Sequence, residues 1–256
     1  MQKTVARLGE ATKRFFAEAG EIFILLGQIL FLSRRLVKDR HLLLEQMISI
    51  GYNSIPIVMM VGAFTGAVAA WQTNYQIEGY VPIRFLGLAA YKAVVIELGP
   101  VLTALILAGR VGASIAAELG TMKVTEQIDA LESLAINTVR YLAVPRFFAA
   151  VLMMPVLVTF ADIIAIIGAW SVGLIFLDIP THTFFSEIPR LFRAFDSISG
   201  LIKSVFFGGT IALIGCHIGF STTGGAEGVG KATIRSFVLS AILILVLDYI
   251  LATILF

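Results

Sequence analysis

Three carboxylates stand in stretches where hydrocarbon is expected. Glu97 lies in Val95-Ile96-Glu97-Leu98-Gly99-Pro100, Asp162 falls within the apolar run 147–177, and Asp248 falls within 237–256. A carboxylate at membrane depth is expensive, so it faces a cavity or a partner rather than lipid. Glu97 is the most informative of the three, because nearby Pro100 removes a backbone donor and loosens the helix. Two roles compete for Glu97. One is a polar group in a transport cavity. The other is a structural ion pair with Lys92, Arg110 or a neighbouring helix. Asp162 and Asp248 suit either a proton relay or hydrogen-bonded packing. Lys92 reads as a cation that snorkels to the outer interface.

Other chemistries lack their residues. Cys216 is the only cysteine, so it can form neither an internal disulfide nor a thiolate metal site, and it reads as a small packing residue. His217 has no second histidine or cysteine pair at ligand spacing. Residues 225–231 match G-x-x-x-x-G-K, but Ala232 stands where a phosphate loop needs Ser or Thr for Mg²⁺. A membrane helix also precedes the loop in place of a strand, so it reads as a flexible cytoplasmic turn. Neither G-x-S-x-G nor H-E-x-x-H occurs. The net charge of +2 comes with no concentrated basic block, which argues against nucleic acid as a partner.

The elements that must position these residues are spanning helices. Hydrophobic residues make up 58% of the chain and charged ones 14%, against about 25% charged in soluble domains. Mean hydropathy is +0.93. A soluble fold cannot hide so much apolar surface. Five segments are long enough to cross a bilayer, near residues 47–71, 85–109, 147–177, 198–220 and 237–256. The third is longer than a bilayer needs, and tilt or a kink at Pro155 would absorb the excess.

At the N-terminus the apolar run 22–32 has the length of a signal-peptide core. It is followed by Ser33-Arg34-Arg35-Leu36-Val37-Lys38 rather than a small-residue cleavage site. Residues 5–36 carry Arg7, Lys13, Arg14, Arg34 and Arg35 among apolar residues. They predict a helix lying in the membrane interface. Glu10, Glu18 and Glu21 argue against an organellar transit peptide.

Charge asymmetry sets the orientation. With the N-terminus in the cytoplasm, the inner side holds Lys3, Arg7, Lys13, Arg14, Arg34, Arg35, Lys38 and Arg40. It also holds Arg110, Lys123, Arg140, Arg146, Lys231 and Arg235. The outer side keeps Arg84, Arg190, Arg193 and Lys203. Residues 122–134 predict a short cytoplasmic helix with Met122, Ile128, Leu131 and Leu134 as an apolar stripe. The outer loop 178–197, with Pro180, Pro189 and several aromatics, is expected to rest on the membrane surface. Gly62 with Gly66, and Gly215 with Gly219, form small-xxx-small pairs that suit an internal bundle and a homodimer seam equally.

A longer pattern runs through Glu97-Leu98-Gly99-Pro100, Ala108-Gly109-Arg110 and Ala117-Glu118-Leu119-Gly120-Thr121-Met122-Lys123-Val124-Thr125-Glu126-Gln127-Ile128-Asp129-Ala130. It continues at Pro145-Arg146-Phe147 and Gly230-Lys231-Ala232-Thr233. This pattern resembles the MlaE (YrbE-like) family of ABC permeases over most of the chain from about residue 42. Many members carry Arg directly before the Glu of the first motif, where this chain has Ile96.

The resemblance implies an all-α membrane protein: an N-terminal interfacial region (1–41), then a permease domain (42–256) of five transmembrane helices with a cytoplasmic coupling helix. It implies a permease subunit rather than an enzyme, in a bacterial inner membrane, moving phospholipids between inner and outer membranes. The implied partners are a second copy of the chain, a cytoplasmic ABC ATPase, an MCE-domain periplasmic protein and, in some systems, a STAS-domain protein. No cofactor would bind this chain, and ATP and Mg²⁺ would sit on the ATPase. By position, Glu97 and Leu98 would line the lipid cavity, and Gln76, Ile77 and Tyr80 its mouth. Glu118, Leu119, Thr121, Met122, Thr125, Glu126, Asp129 and Leu131 would belong to the coupling segment that docks the ATPase.

The competing reading is a proton-coupled secondary transporter built on Glu97, Asp162 and Asp248. Such folds often show inverted repeats, and no convincing repeat is present. An intramembrane enzyme would need paired catalytic groups at one depth, whereas the acids here are scattered.

Overall fold

Apolar runs in a medium without water have a local solution in the helix, which pairs backbone N–H and C=O groups within one segment. The computed structural model describes residues 2–35, 39–77 and 79–256, and among them there are helices and no strands. Helix α1 (Gln2–Leu32) leads into α2 (Arg40–Ile50) and α3 (Ile55–Ile77). The second span is built of α4 (Leu86–Ala93), α5 (Gly99–Leu107) and α6 (Ala113–Val124), and α7 (Gln127–Ser133) follows it. Helix α8 (Val144–Phe176) crosses next. Two short helices, α9 (Thr181–Phe185) and α10 (Ile188–Leu191), precede α11 (Ala194–Phe220) and α12 (Gly225–Leu255).

Five helical stretches are long and apolar enough to cross a membrane: Arg40–Ile77, Ile83–Val124, Val139–Phe176, Ala194–Phe220 and Gly225–Leu255. The expected number of spans is therefore present, but the first three and the fifth extend well past their apolar windows. Hydropathy marks the depth of hydrocarbon, whereas a helix runs on until its backbone is turned. Helix α8 continues through Pro155, and Thr159 Oγ1 donates to the Pro155 carbonyl oxygen at 2.8 Å.

The fourth span is the most buried and the fifth the least. Glycine explains the central place of α11. A Cβ on Gly200 would overlap the carbonyl oxygen of Val95, and one on Gly208 would lie 2.6 Å from that of Ala150. Both small-xxx-small pairs are internal: Gly62 and Gly66 of α3 meet Ala161 and Ala165 of α8, while Gly215 and Gly219 of α11 meet α6 and its N-cap Gly112. A Cβ on Gly66 would overlap the Ala165 carbonyl oxygen, and backbone cannot swing aside. Gly66→Val is expected to destabilise the fold by about 3 kcal/mol, the upper end for overpacking. Thermal unfolding in detergent reads it. Gly27→Ala, on α1 with no atom near its Cβ, is the control and should stay within about 0.5 kcal/mol.

Two further expectations are corrected. The helix over 122–134 is two helices: α6 runs on to Val124, and Glu126, with φ of 60°, turns the chain into α7. The supposed turn at 225–231 is the start of α12, opened by Gly224 at φ of 89°. The segment 178–197 packs partly on the bundle, with Phe184 buried against Gly87 and Gly173, and leaves Leu191, Phe192 and Phe195 exposed. Helix α1 buries Leu25 and Ile29 in the core and exposes Phe23, Ile24 and Phe31. The expected interfacial helix covered 5–36 and the expected inner cations included Lys38; Leu36 and Lys38 lie outside the described residues.

Candidate functional site

The second span is not one regular α-helix. Two π-helical segments, Val94–Leu98 and Ala108–Gly112, break it, and a third, Val139–Ala143, opens the third span. Such widened turns occur often at functional sites. Pro100 helps explain the first, because it has no N–H to offer the Ile96 carbonyl four residues back. Each of the three segments carries one charged side chain: Glu97, Arg110 and Arg140.

Glu97 is joined to a group that the hydropathy reading misplaced. Lys203 of α11 is wholly buried, and its Nζ lies 2.7 Å from Glu97 Oε1 and 2.9 Å from Asp248 Oδ1 of α12. The lysine is thus not an outer-surface cation but the centre of a triad linking the second, fourth and fifth spans. Neither contact is aligned as a hydrogen bond, so charge attraction holds it. Unpaired, a buried ammonium here would be costly, and two carboxylates remove that penalty. The side chain of Glu97 is 42% exposed and that of Asp248 21%, so Glu97 is the member that faces outward.

A second link lies nearer the start of the second span. Lys92 Nζ sits 3.0 Å from Asp196 Oδ2 of α11, and Tyr91 Oη lies 2.9 Å from Ser197 Oγ. Lys92 is therefore paired across helices rather than simply snorkelling. The three carboxylates do not form one relay. Asp162 Oδ1 is buried without a hydrogen-bond partner and packs where Gly99 leaves room for it.

The other expected cavity residues divide. Gln76 is exposed at the end of α3, and Tyr80 is 89% exposed. Ile77 packs against the cluster around Ala70, Leu86 and Phe184, and Leu98 against that around Ala69, Tyr91 and Val95. These two support neighbours more than they offer a surface.

The expected coupling segment divides in the same way. Leu119 is fully buried, and Met122 and Leu131 pack on the main core, which also holds Ile128. Thr121, Thr125, Glu126 and Asp129 are exposed, as is Leu134, whose place in the apolar stripe is not kept. Glu118 is also exposed, but its carboxylate accepts from Arg146 Nη2 and Ser114 Oγ, both at 3.1 Å. Lys123 Nζ bridges to Asp129 Oδ1 at 2.8 Å and ties α7 to α6. Towards the same end, His217 Nε2 lies 4.0 Å from Glu18 Oε1 of α1. Among the described residues no three His, Cys, Asp or Glu side chains come together as a metal site requires.

Lys203 was the residue sequence reasoning missed. Its signal is a lysine in Leu201-Ile202-Lys203-Ser204-Val205-Phe206-Phe207, with apolar neighbours on both sides and too far inside the helix to belong to the loop.

A bundle of five membrane helices with charged groups paired across its spans, and an exposed helical turn at the other end, defines a polytopic membrane protein of the transporter class. The family model described as Permease MlaE matches residues 43–254. A probable ABC transporter permease protein of Rickettsia typhi is 41% identical over 215 residues, covering 84% of this chain and 83% of its own. One from Synechocystis is 36% identical over 234 residues, 91% of this chain and 89% of its own. The intermembrane phospholipid transport system permease protein MlaE of Haemophilus influenzae is 33% identical over 253 residues, 98% and 97% of the two chains. The chain belongs to the MlaE permease family, and it is an ABC transporter permease.

Proposed function

We propose that this permease moves phospholipids between the inner and outer membranes of a diderm bacterium and is driven by a separate ATPase. The observation that carries the reading is Glu97: a half-exposed intramembrane carboxylate, anchored from behind by buried Lys203, on a bundle that exposes many large apolar side chains. A lipid site needs apolar walls and few polar groups to hold the head. The name of the Haemophilus influenzae relative supports the same substrate class. In this reading the chain works as a pair of copies in the inner membrane, with its N-terminus in the cytoplasm and an MCE-domain protein on the outer side. Some systems of this kind add a STAS-domain protein on the cytoplasmic side. ATP and Mg²⁺ are held by the ATPase, which favours one of two permease states by docking differently on each.

The exposed turn around Glu126 is the docking surface in this reading, with Thr121, Thr125 and Asp129 beside it. Glu126→Lys reverses a charge that makes no ion pair among the described residues. Asp129→Lys also breaks the surface pair with Lys123, worth about 0–1 kcal/mol. Both variants together are expected to lower ATPase recovery at least about tenfold while the permease itself folds. Unchanged co-purification rejects this surface.

The reading as a whole is tested by pulling the tagged chain from its native membranes in mild detergent and identifying what accompanies it. Recovery of an ABC ATPase and an MCE-domain protein is expected. Recovery of the chain alone at good yield would overturn the proposed partners.

A further inference from the structure

The three π-helical segments each present one charge, and two of those charges are matched. Glu97 meets Lys203, and Arg140 meets Asp39, with Nη2 2.6 Å from Oδ2. Arg110 is different. Its Nη1 donates to Ser54 Oγ, and among the described residues no carboxylate lies within ion-pair distance of it. Ser54 Oγ itself donates to the Ile50 carbonyl oxygen, so the link fixes the guanidinium without neutralising it.

Arg110 lines a cleft of about 110 Å³ between α2 and α6, roughly four times the ~30 Å³ share of one water. Its polar rim is Gln46, Ser49, Ser114 and Glu118. Glu118 does not cancel the charge, because its ion pair is with Arg146. With Arg146 counted, this corner holds two cations against one anion.

Depth identifies the surroundings. Arg110 lies about 36 Å along the second span from Leu86, at ~1.5 Å per residue, and the hydrocarbon layer is about 30 Å thick. Ser54, at the start of the first apolar helix, sits at the same level through its bond to Arg110. The cleft therefore opens in the headgroup layer, at the end that charge asymmetry assigns to the cytoplasm. Lipid phosphates are the anions concentrated there. A guanidinium keeps donors free in a fork that matches phosphate oxygens.

We propose that the Arg110 cleft is a second lipid site, which holds the phosphate of a phospholipid of the cytoplasmic leaflet between α2 and α6. It lies about 20 Å along the second span from Glu97, at ~1.5 Å per residue, and it stands whether or not the Glu97 site carries cargo.

The test uses the full chain with a photoreactive phenylalanine analogue in place of Ser49, which lies on the rim. The chain is reconstituted in vesicles of phosphatidylethanolamine and phosphatidylglycerol labelled in the phosphate. Irradiation is expected to give a labelled lipid adduct that survives excess inorganic phosphate. Arg110→Gln keeps a donor for Ser54 and loses the cation, and should lower the adduct about tenfold, as for loss of a charge-assisted hydrogen bond. Ser54→Ala removes the structural link and keeps the cation, so the adduct should persist. Equal labelling with and without the Arg110 charge overturns the proposal. Loss of the adduct to inorganic phosphate assigns the cleft to the free anion and also overturns it. A protein adduct in place of the lipid in native membranes assigns the cleft to a partner's carboxylate, with the same result.

Discussion

Lys203→Ala is expected to destabilise the protein by about 3 kcal/mol, the low end of the ~3–5 kcal/mol range for removing one partner of a buried ion pair. The low end applies because Glu97 and Asp248 both retain some exposure and can turn outward when the lysine is gone. What remains without it is two carboxylates on different helices, converging on a site from which water was excluded. The sharper test is the triple variant Lys203→Met, Glu97→Gln, Asp248→Asn. Replacing all the charges removes attraction and desolvation together, so its unfolding temperature should return close to that of the parent. Thermal unfolding in detergent distinguishes the outcomes. If Lys203→Ala melts with the parent, the triad does not hold the three spans together.

The spans were legible because hydropathy reports depth. It does not report which way a side chain points around its helix, and the triad depends on that. Lys203 was assigned to the outer side because it lies near the outer end of its run, and only packing shows that it turns inward. Glycine could have supplied the hint: Gly200 and Gly208 flank Lys203 and let α11 approach α5 and α8 closely enough to enclose a lysine. The coupling segment failed in a different way. Its spacing predicts one helix, but Glu126 adopts a left-handed conformation that a non-glycine residue seldom takes, and nothing local in the sequence announces it. The same turn decides which residues remain available. Leu119, before it, is sealed against Gly219, while Glu126 and Asp129 are exposed. The motif at 225–231 is not the turn its glycines suggest. Its glycines begin a helix, and Gly228 packs where a Cβ would overlap the Thr223 carbonyl oxygen.

Glu97→Ala is expected to abolish most lipid transport and leave the fold and the assembly intact. The asymmetry of the triad is the reason. Lys203 keeps Asp248 at 2.9 Å when Glu97 is removed, so no buried charge is stranded. What disappears is the one member with 42% of its side chain exposed, the acceptor that a lipid headgroup could reach. Loss of one charge-assisted hydrogen bond corresponds to about 1.5–3 kcal/mol, hence at least a tenfold fall in rate if that bond forms only at the barrier to lipid movement. A bond formed equally in the resting and crossing states would change binding without changing turnover. Lipid transfer by the reconstituted complex, read beside ATP hydrolysis, separates the cases. Transfer should fall while hydrolysis continues, because the proposed docking turn at Glu126 lies beyond Val124, where the second span ends. Asp248→Asn provides the comparison: it keeps the exposed carboxylate and weakens the anchor behind it, so it should lower thermal stability more than Glu97→Ala and lipid transfer less. The reverse order would make Glu97 a structural counter-ion and move the search for the lipid site elsewhere on the bundle.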